Sequence, residues 1–140
     1  EILKDIYQHT YIFFCNLEEA KRILNTDEKE ITMLLKKLHE LGPKIVVITD
    51  GINGAYASDG VESWFMPVYP HDPYERTGAG DAFVGAVLFQ LINSNPSLLE
   101  QIDLDHWRKM ISNANKAGAR TCEFMGAMEA FKHLNKSIFN

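Results

Sequence analysis

The residues with the clearest chemical potential lie between Thr77 and Phe89, in the stretch T-G-A-G-D-A-F-V-G-A-V-L-F. Gly78 and Gly80 flank Ala79, Asp81 follows at once, and an apolar run continues without a breaker. The pattern predicts a tight turn that opens a buried helix, because glycines allow backbone angles and close approaches that side chains forbid. The first N–H groups of a helix have no internal partner and sit at the positive end of its dipole. Such an end attracts anions, phosphate above all. Asp81 then admits two readings. With nothing bound, it is a first-turn carboxylate stabilised by the helix dipole. Beside a phosphoryl group it would repel, unless a metal ion or a reacting hydroxyl stood between them. The second arrangement suits phosphoryl transfer: the N–H groups hold charge on the moving group while the carboxylate takes a proton from the attacking hydroxyl. In a loose transition state that proton leaves late, so a weak base suffices.

These residues need elements that hold them still. From Gly78 to about Asn93, apolar residues from Ala82 to Ile92 cover most of the helix circumference, which predicts burial on all sides. Gly85 inside it costs up to about 1 kcal/mol, which predicts a close neighbour. The stop is read at Asn93-Ser94-Asn95-Pro96. After a short segment with Leu98 and Leu99, a second helix is predicted from Asp103 or Asp105, with Trp107, Ile111, Ala114 and Gly118 on one face. A last short helix is predicted near residues 129–134, and Met125 and Met128 before it are read as packing residues.

Upstream, residues 1–8 read as a short amphipathic helix with Ile2, Leu3 and Ile6 on one side, and Tyr11 to Cys15 as a buried strand. Asn16 and Glu19 have the spacing of a capping box, as do Asp27 and Glu30. The helix after Glu30 carries the stripe Ile31, Leu34, Leu35, Leu38 and Leu41, stopped by Gly42-Pro43. Lys44 to Thr49, apolar and mostly β-branched, predicts a central strand covered on both faces. It ends in Thr49-Asp50-Gly51-Ile52-Asn53-Gly54, and ligands in open α/β sheets gather at such strand ends. A plain glycine turn is the other reading of that stretch. Asp59-Gly60 between two strand-like runs predicts a hairpin. The sum is an α/β fold, a mainly parallel sheet covered by helices, with one β-hairpin.

T-G-A-G-D-A-F closely resembles the C-terminal signature of the PfkB (ribokinase-like) carbohydrate kinases. The resemblance extends over nearly the whole chain and implies a ribokinase-like three-layer α/β/α architecture. It implies that Asp81 is the catalytic base, and that the N–H groups of Ala79, Gly80 and Asp81, after Gly78, form the anion hole. Asn16 and Glu19 match the family's N-x-x-E, which organises Mg2+ largely through water. A cap and a metal role are compatible. Thr49, Gly51 and Gly54 match a T-x-G-x-x-G that lines the phosphates of ATP. Asn115 matches an asparagine bordering adenine, with a surface or capping Asn as the alternative. Gly126 and Ala127 match the late loop beside the nucleotide, which supplies backbone carbonyls to a monovalent cation. Glu75 and Thr77 match the positions that hold that cation, K+, but the family's usual pair before Thr77 is Asp or Asn followed by Thr. Glu75 lengthens the arm, and Arg76 adds a fixed charge that either meets a phosphate or carboxylate or is solvated.

Composition bounds the rest. The chain has 140 residues, 46% hydrophobic and 24% charged, with a formal net charge of −5. These values predict a soluble globular protein and argue against nucleic acid or an anionic membrane as partner. No apolar run reaches a membrane span. Cys15 and Cys122 form no metal pattern and read as reduced and buried, in a cytoplasmic protein. Family members are considerably longer, so residues 1–140 are expected to be the C-terminal, nucleotide-binding half, without the N-terminal substrate and lid region. Such a half is expected to be inactive alone and to self-associate, as a homodimer, through exposed apolar surface. The function implied is ATP-dependent phosphorylation of a sugar hydroxyl, ribokinase- or fructokinase-like. The rivals are a nucleoside (adenosine-like) kinase of the same fold and a non-catalytic nucleotide-binding module.

Overall fold

A computed structural model describes residues 3–94, 102–135 and 137. Ile2, the helix stop at Asn95-Pro96 and the segment with Leu98 and Leu99 lie outside the described residues. The chain divides into two compact units, Glu1–Pro67 and Val68–Asn140.

The first unit comprises α1 (Lys4–Gln8), β1 (Ile12–Asn16), α2 (Leu17–Leu24), α3 (Ile31–His39), β2 (Ile45–Thr49), β3 (Ala55–Ser58) and β4 (Ser63–Met66). The strands lie in the order β1-β2-β3-β4. β1 and β2 are parallel, while β2–β3 and β3–β4 are antiparallel. Over the described residues the sheet is therefore mixed, where a mainly parallel one was expected. Connection length is the reason: α2 and α3 supply the crossover a parallel pair needs, whereas the short links after β2 and β3 can join only antiparallel strands. At the hairpin Asp59 Oδ1 accepts the N–H groups of Val61 and Glu62 at 2.9 and 2.7 Å, and Gly60 takes φ +90°.

The predicted stripe builds the core. Leu34, Leu35 and Leu38 of α3 are buried with Ala20 of α2 and with Cys15, Val46 and Ile48 of the sheet; Ile31 and Leu41 pack against them. Ile45, Val46, Val47 and Ile48 are all buried, as a central strand requires. β1 departs from its prediction: of its apolar residues only Cys15 is buried, since among the described residues β1 pairs with β2 alone. Leu3, just before α1, and Ile6 within it are exposed. The second predicted capping box does not form. Glu28 Oε1 accepts the N–H groups of Lys29 and Glu30 at 2.9 and 3.0 Å, and α3 starts only after Glu30, without a side-chain cap.

The second unit comprises α4 (Ala79–Asn93), α5 (Leu104–Thr121) and α6 (Ala130–His133). α4 and α5 pack antiparallel: Gly118 meets Ala79 and Phe83, while Gln90 Nε2 donates to the Met110 carbonyl at 3.1 Å and Asn113 Nδ2 to Gln90 Oε1 at 2.8 Å. Asp103 caps α5 by accepting the His106 N–H at 2.8 Å. On α5, Trp107, Ile111, Ala114 and Gly118 are buried as one face, as predicted. α4 is not buried all round. Phe83, Ala86, Val87 and Leu91 are buried, but Leu88 and Ile92 are exposed. Gly85 has no close neighbour among the described residues either: it is exposed, with nothing within 4 Å of where a Cβ would stand. An apolar sequence signals what a helix can bury; the stripe that faces α5 is what the described residues cover.

Candidate active site

The expected site residues gather in two groups, one on each unit. On the first, Asn16 and Thr49 end β1 and β2 and are register partners in the parallel pair. Asn16 also caps α2. Its Oδ1 accepts the Glu19 N–H at 2.9 Å, and Glu19 Oε2 accepts the Asn16 N–H at 2.9 Å, so the capping box is complete. Both residues are exposed, and among the described residues Glu19 Oε1 has no hydrogen-bond partner. That donor set fits Mg2+, which takes one or two carboxylates and otherwise keeps water and phosphate oxygens. Among the described residues no three His, Cys, Asp or Glu side chains gather around one point, so a cage made wholly of protein is not offered.

After Thr49 the chain makes a 3-10 turn over Gly51–Asn53. Gly54 is required twice over: its φ is +100°, and a Cβ there would stand 2.3 Å from the Met66 carbonyl oxygen. Gly51 has φ +52° but meets nothing within 4 Å, so its backbone faces open space. Close backbone approach by a ligand is possible at Gly51; at Gly54 the lack of a side chain serves the hairpin.

On the second unit Gly78 takes the left-handed conformation, φ +82°, and a Cβ on it would stand 2.8 Å from Ala127 Cβ. α4 begins at once, with no side-chain cap. The Ala79 N–H donates to the Arg76 carbonyl at 3.3 Å, and the Ala82 N–H to the Gly78 carbonyl at 2.9 Å. Between them the N–H groups of Gly80 and Asp81 have no protein partner among the described residues. Of three amides expected to face an anion, two are open and Ala79 makes a long turn bond. Among the described residues, and apart from the helix's own backbone, nothing lies within 4 Å of where a Gly80 Cβ would stand. The Asp81 side chain is exposed, in the first turn, with no partner among the described residues.

Glu75 is the tie between this turn and the late loop. Its Oε2 accepts the Gly126 N–H at 2.6 Å, and its Oε1 accepts the Thr77 hydroxyl. These bonds, Thr77 first and Gly126 second, hold the carboxyl below the usual glutamate range. The Gly126 N–H is thus turned to Glu75, while its carbonyl, expected to be offered to K+, accepts the Glu129 N–H at 3.4 Å. Each oxygen of Glu75 accepts one hydrogen, from Thr77 and from Gly126. Arg76 is exposed. Asn115 is half-buried on α5, about one turn before Gly118. Met125 and Met128, expected to pack, are exposed on the loop.

Cys15 and Cys122 are free and buried. Burial first, then the nearby Glu19 charge, pushes the Cys15 thiol up to about 12. Among the described residues no helix is long and apolar enough to cross a membrane.

Two contacts escaped the sequence reading. Gly118 was read as part of the buried α5 face, with its small neighbours open to a role in tight helix packing, but its partner was not identified: a Cβ there would stand 2.9 Å from the Ala79 carbonyl oxygen, so it decides how closely α5 approaches the start of α4. The run Ala117-Gly118-Ala119 was the available signal. The bond from Gly126 to Glu75 had none, since the two lie far apart in the chain.

A family model described as pfkB family carbohydrate kinase matches residues 1–133. A bifunctional ribokinase/ribose-5-phosphate isomerase A from Fructilactobacillus sanfranciscensis is 29% identical over 133 residues, covering 93% of this chain and 23% of that protein. The structure of aminoimidazole riboside kinase from Salmonella enterica, complexed with aminoimidazole riboside and an ATP analog, superposes with a TM-score of 0.78 at 28% identity, covering 92% of this chain and 41% of the other. A putative ribokinase II from E. coli in complex with ATP and Mg2+ gives a TM-score of 0.70 at 26% identity, covering 91% and 38%. The fold is α/β and ribokinase-like, and the chain spans under half the length of each of these proteins.

Proposed function

The chain belongs to the pfkB family of carbohydrate kinases, and from that premise we propose that it serves ATP-dependent phosphorylation of a hydroxyl on a sugar, in the manner of a ribokinase or fructokinase. One observation carries the proposal: the N–H groups of Gly80 and Asp81, at a helix start and without a partner among the described residues, adjoin an exposed carboxylate that likewise has no partner among the described residues. In the proposed reaction the acceptor hydroxyl gives its proton to Asp81 as its oxygen bonds to the γ-phosphorus. The bond from that phosphorus to the β–γ bridging oxygen breaks, and ADP leaves. The two amides hold the charge on the moving phosphoryl group, with donors already aimed and no reorganisation to undergo.

Thr49, Gly51, Gly54, Asn115 and Gly126 are assigned to the nucleotide, and Asn16 with Glu19 to the Mg2+ that screens its phosphates. The relatives' complexes with ATP, an ATP analog and Mg2+ support those ligands. Because the chain spans under half of these relatives, we assign it the nucleotide side of such a kinase and the acceptor site to the remaining length. Alone it should turn over no sugar. Two free buried cysteines suit a reducing compartment, and we place the protein in the cytoplasm. Self-association through the α4 face with Leu88 and Ile92 is also proposed; a clean monomer by light scattering at high concentration removes it.

A nucleoside acceptor is the second reading, favoured by the aminoimidazole riboside kinase likeness. Turnover of ATP by the intact protein against a panel of sugars and nucleosides decides between them. Binding of ATP with turnover on neither class would leave the non-catalytic module as the function.

A further inference from the structure

Residues 74–78, which lead into α4, interlock with residues 122–127 at four points. The N–H groups of Tyr74 and Glu75 both donate to the Cys122 carbonyl, at 2.7 and 3.0 Å. Glu75 Oε2 accepts the Gly126 N–H at 2.6 Å. The Thr77 hydroxyl donates to Glu75 Oε1. Gly78 lies against Ala127, so closely that a Cβ would stand 2.9 Å from the Ala127 Cα. Glu75 is the only one of these residues whose side chain bridges turn and loop. Its two oxygens receive an amide and a hydroxyl hydrogen, and Arg76, next in the chain, carries a positive charge that acts on Cys122 at the start of the loop.

We propose that the Glu75 carboxylate stands in place of a monovalent cation here: it is a positioning residue that fastens the late loop to the turn opening α4, and so keeps the N–H groups of Gly80 and Asp81 aimed. The inference rests on reading that turn as the anion hole, but the fastening itself can be measured without any turnover. A carboxylate can span this gap because glutamate is one methylene longer than aspartate. With the shorter arm, Thr77 and Gly126 could not both be reached, and room for a cation would open.

The test is hydrogen exchange at the Gly126 amide in the intact protein, in potassium and in tetramethylammonium buffers. The parent should exchange at one rate in both. Glu75→Ala should exchange about tenfold faster or more, the loss expected when a hydrogen bond to a charged group is removed. Glu75→Asp should exchange faster in tetramethylammonium and slow when potassium is added, a cation response that general destabilisation would not produce. Potassium slowing exchange in the parent, or Glu75→Ala leaving it unchanged, overturns the proposal. So does parent turnover that rises about tenfold or more with potassium, where turnover is found. If no sugar or nucleoside is phosphorylated while the exchange pattern holds, the kinase reading fails and the fastening stands.

Discussion

Gly118 on α5 lies directly against the carbonyl of Ala79 on α4: a Cβ at Gly118 would stand 2.9 Å from that oxygen and 3.7 Å from Phe83 Cβ. The carbonyl belongs to the first residue of the helix whose open N–H groups form the candidate anion site, so the glycine sets the position of the donors through packing. The clash is with backbone, which yields less readily than a flexible side chain. Gly118→Ala should therefore cost about 1–3 kcal/mol, as overpacking does, read as a fall in the thermal midpoint. Its KM for ATP should rise more than that of a surface variant of equal stability.

Asp81→Asn should lower turnover about 10²- to 10⁴-fold, the usual range for a lost general base. ATP affinity by calorimetry should stay near the parent value, because the amides are untouched. Turnover near the parent level would remove Asp81 from the reaction.

Asn16 serves as a helix cap, and a metal role is proposed for it as well; two substitutions separate them. Asn16→Ala should cost about 1 kcal/mol of stability, whereas Asn16→Ser, which can still accept the Glu19 N–H, should stay within a few tenths. Both should raise the Mg2+ concentration needed for half-maximal turnover, by about tenfold. An unchanged Mg2+ requirement in both would leave the residue as a cap alone.

Asp103 caps α5, and its hydrogen bonds to the His106 backbone N–H and then to the His106 ring hold its carboxyl below the ordinary 3.8. A carboxyl depressed by folding stabilises the protein above its unfolded value, and that contribution is lost as pH falls through the lower, folded value. Asp103→Ala should thus be less stable than the parent at neutral pH. The gap should close as pH drops below 3.8. Urea midpoints across that range measure it.

Cys15 is 6% exposed and its thiol is pushed up to about 12, so at neutral pH it is both covered and protonated. Alkylation of Cys15, followed by mass spectrometry, should track unfolding of the first unit. Rapid labelling of the native protein would contradict the packing of β1 against α2 and α3.

Much of this was legible because it is written locally. The stripe from Ile31 to Leu41, the unbroken apolar strand at Ile45–Ile48, the Asp59-Gly60 turn and the Asn16–Glu19 capping box are patterns within a few residues, and each formed. The Asp27–Glu30 box has the same spacing and failed, since Glu28 between its members took the N–H groups first. α4 misled for the opposite reason. Its apolar residues run round the helix, yet which of them are buried depends on the element beside it, and Leu88 and Ile92 are exposed. β1 is similar: an apolar run does not record which elements lie beside it, and among the described residues β1 pairs with β2 alone.

By itself, the sequence determined the family and the order and type of the main elements, and it placed the residue types of the turn. T-G-A-G-D-A-F places glycine, open amides and an acid within one helical turn, and local backbone geometry does the rest. Tertiary structure alone decided what lies against that turn. Ala127 closes on Gly78, Gly118 on Ala79, and the Gly126 N–H on Glu75, three contacts between residues distant along the chain. Periodicity and spacing describe neighbours in sequence; contacts of this kind exist only once the chain has folded and a particular backbone has been brought within van der Waals reach of another.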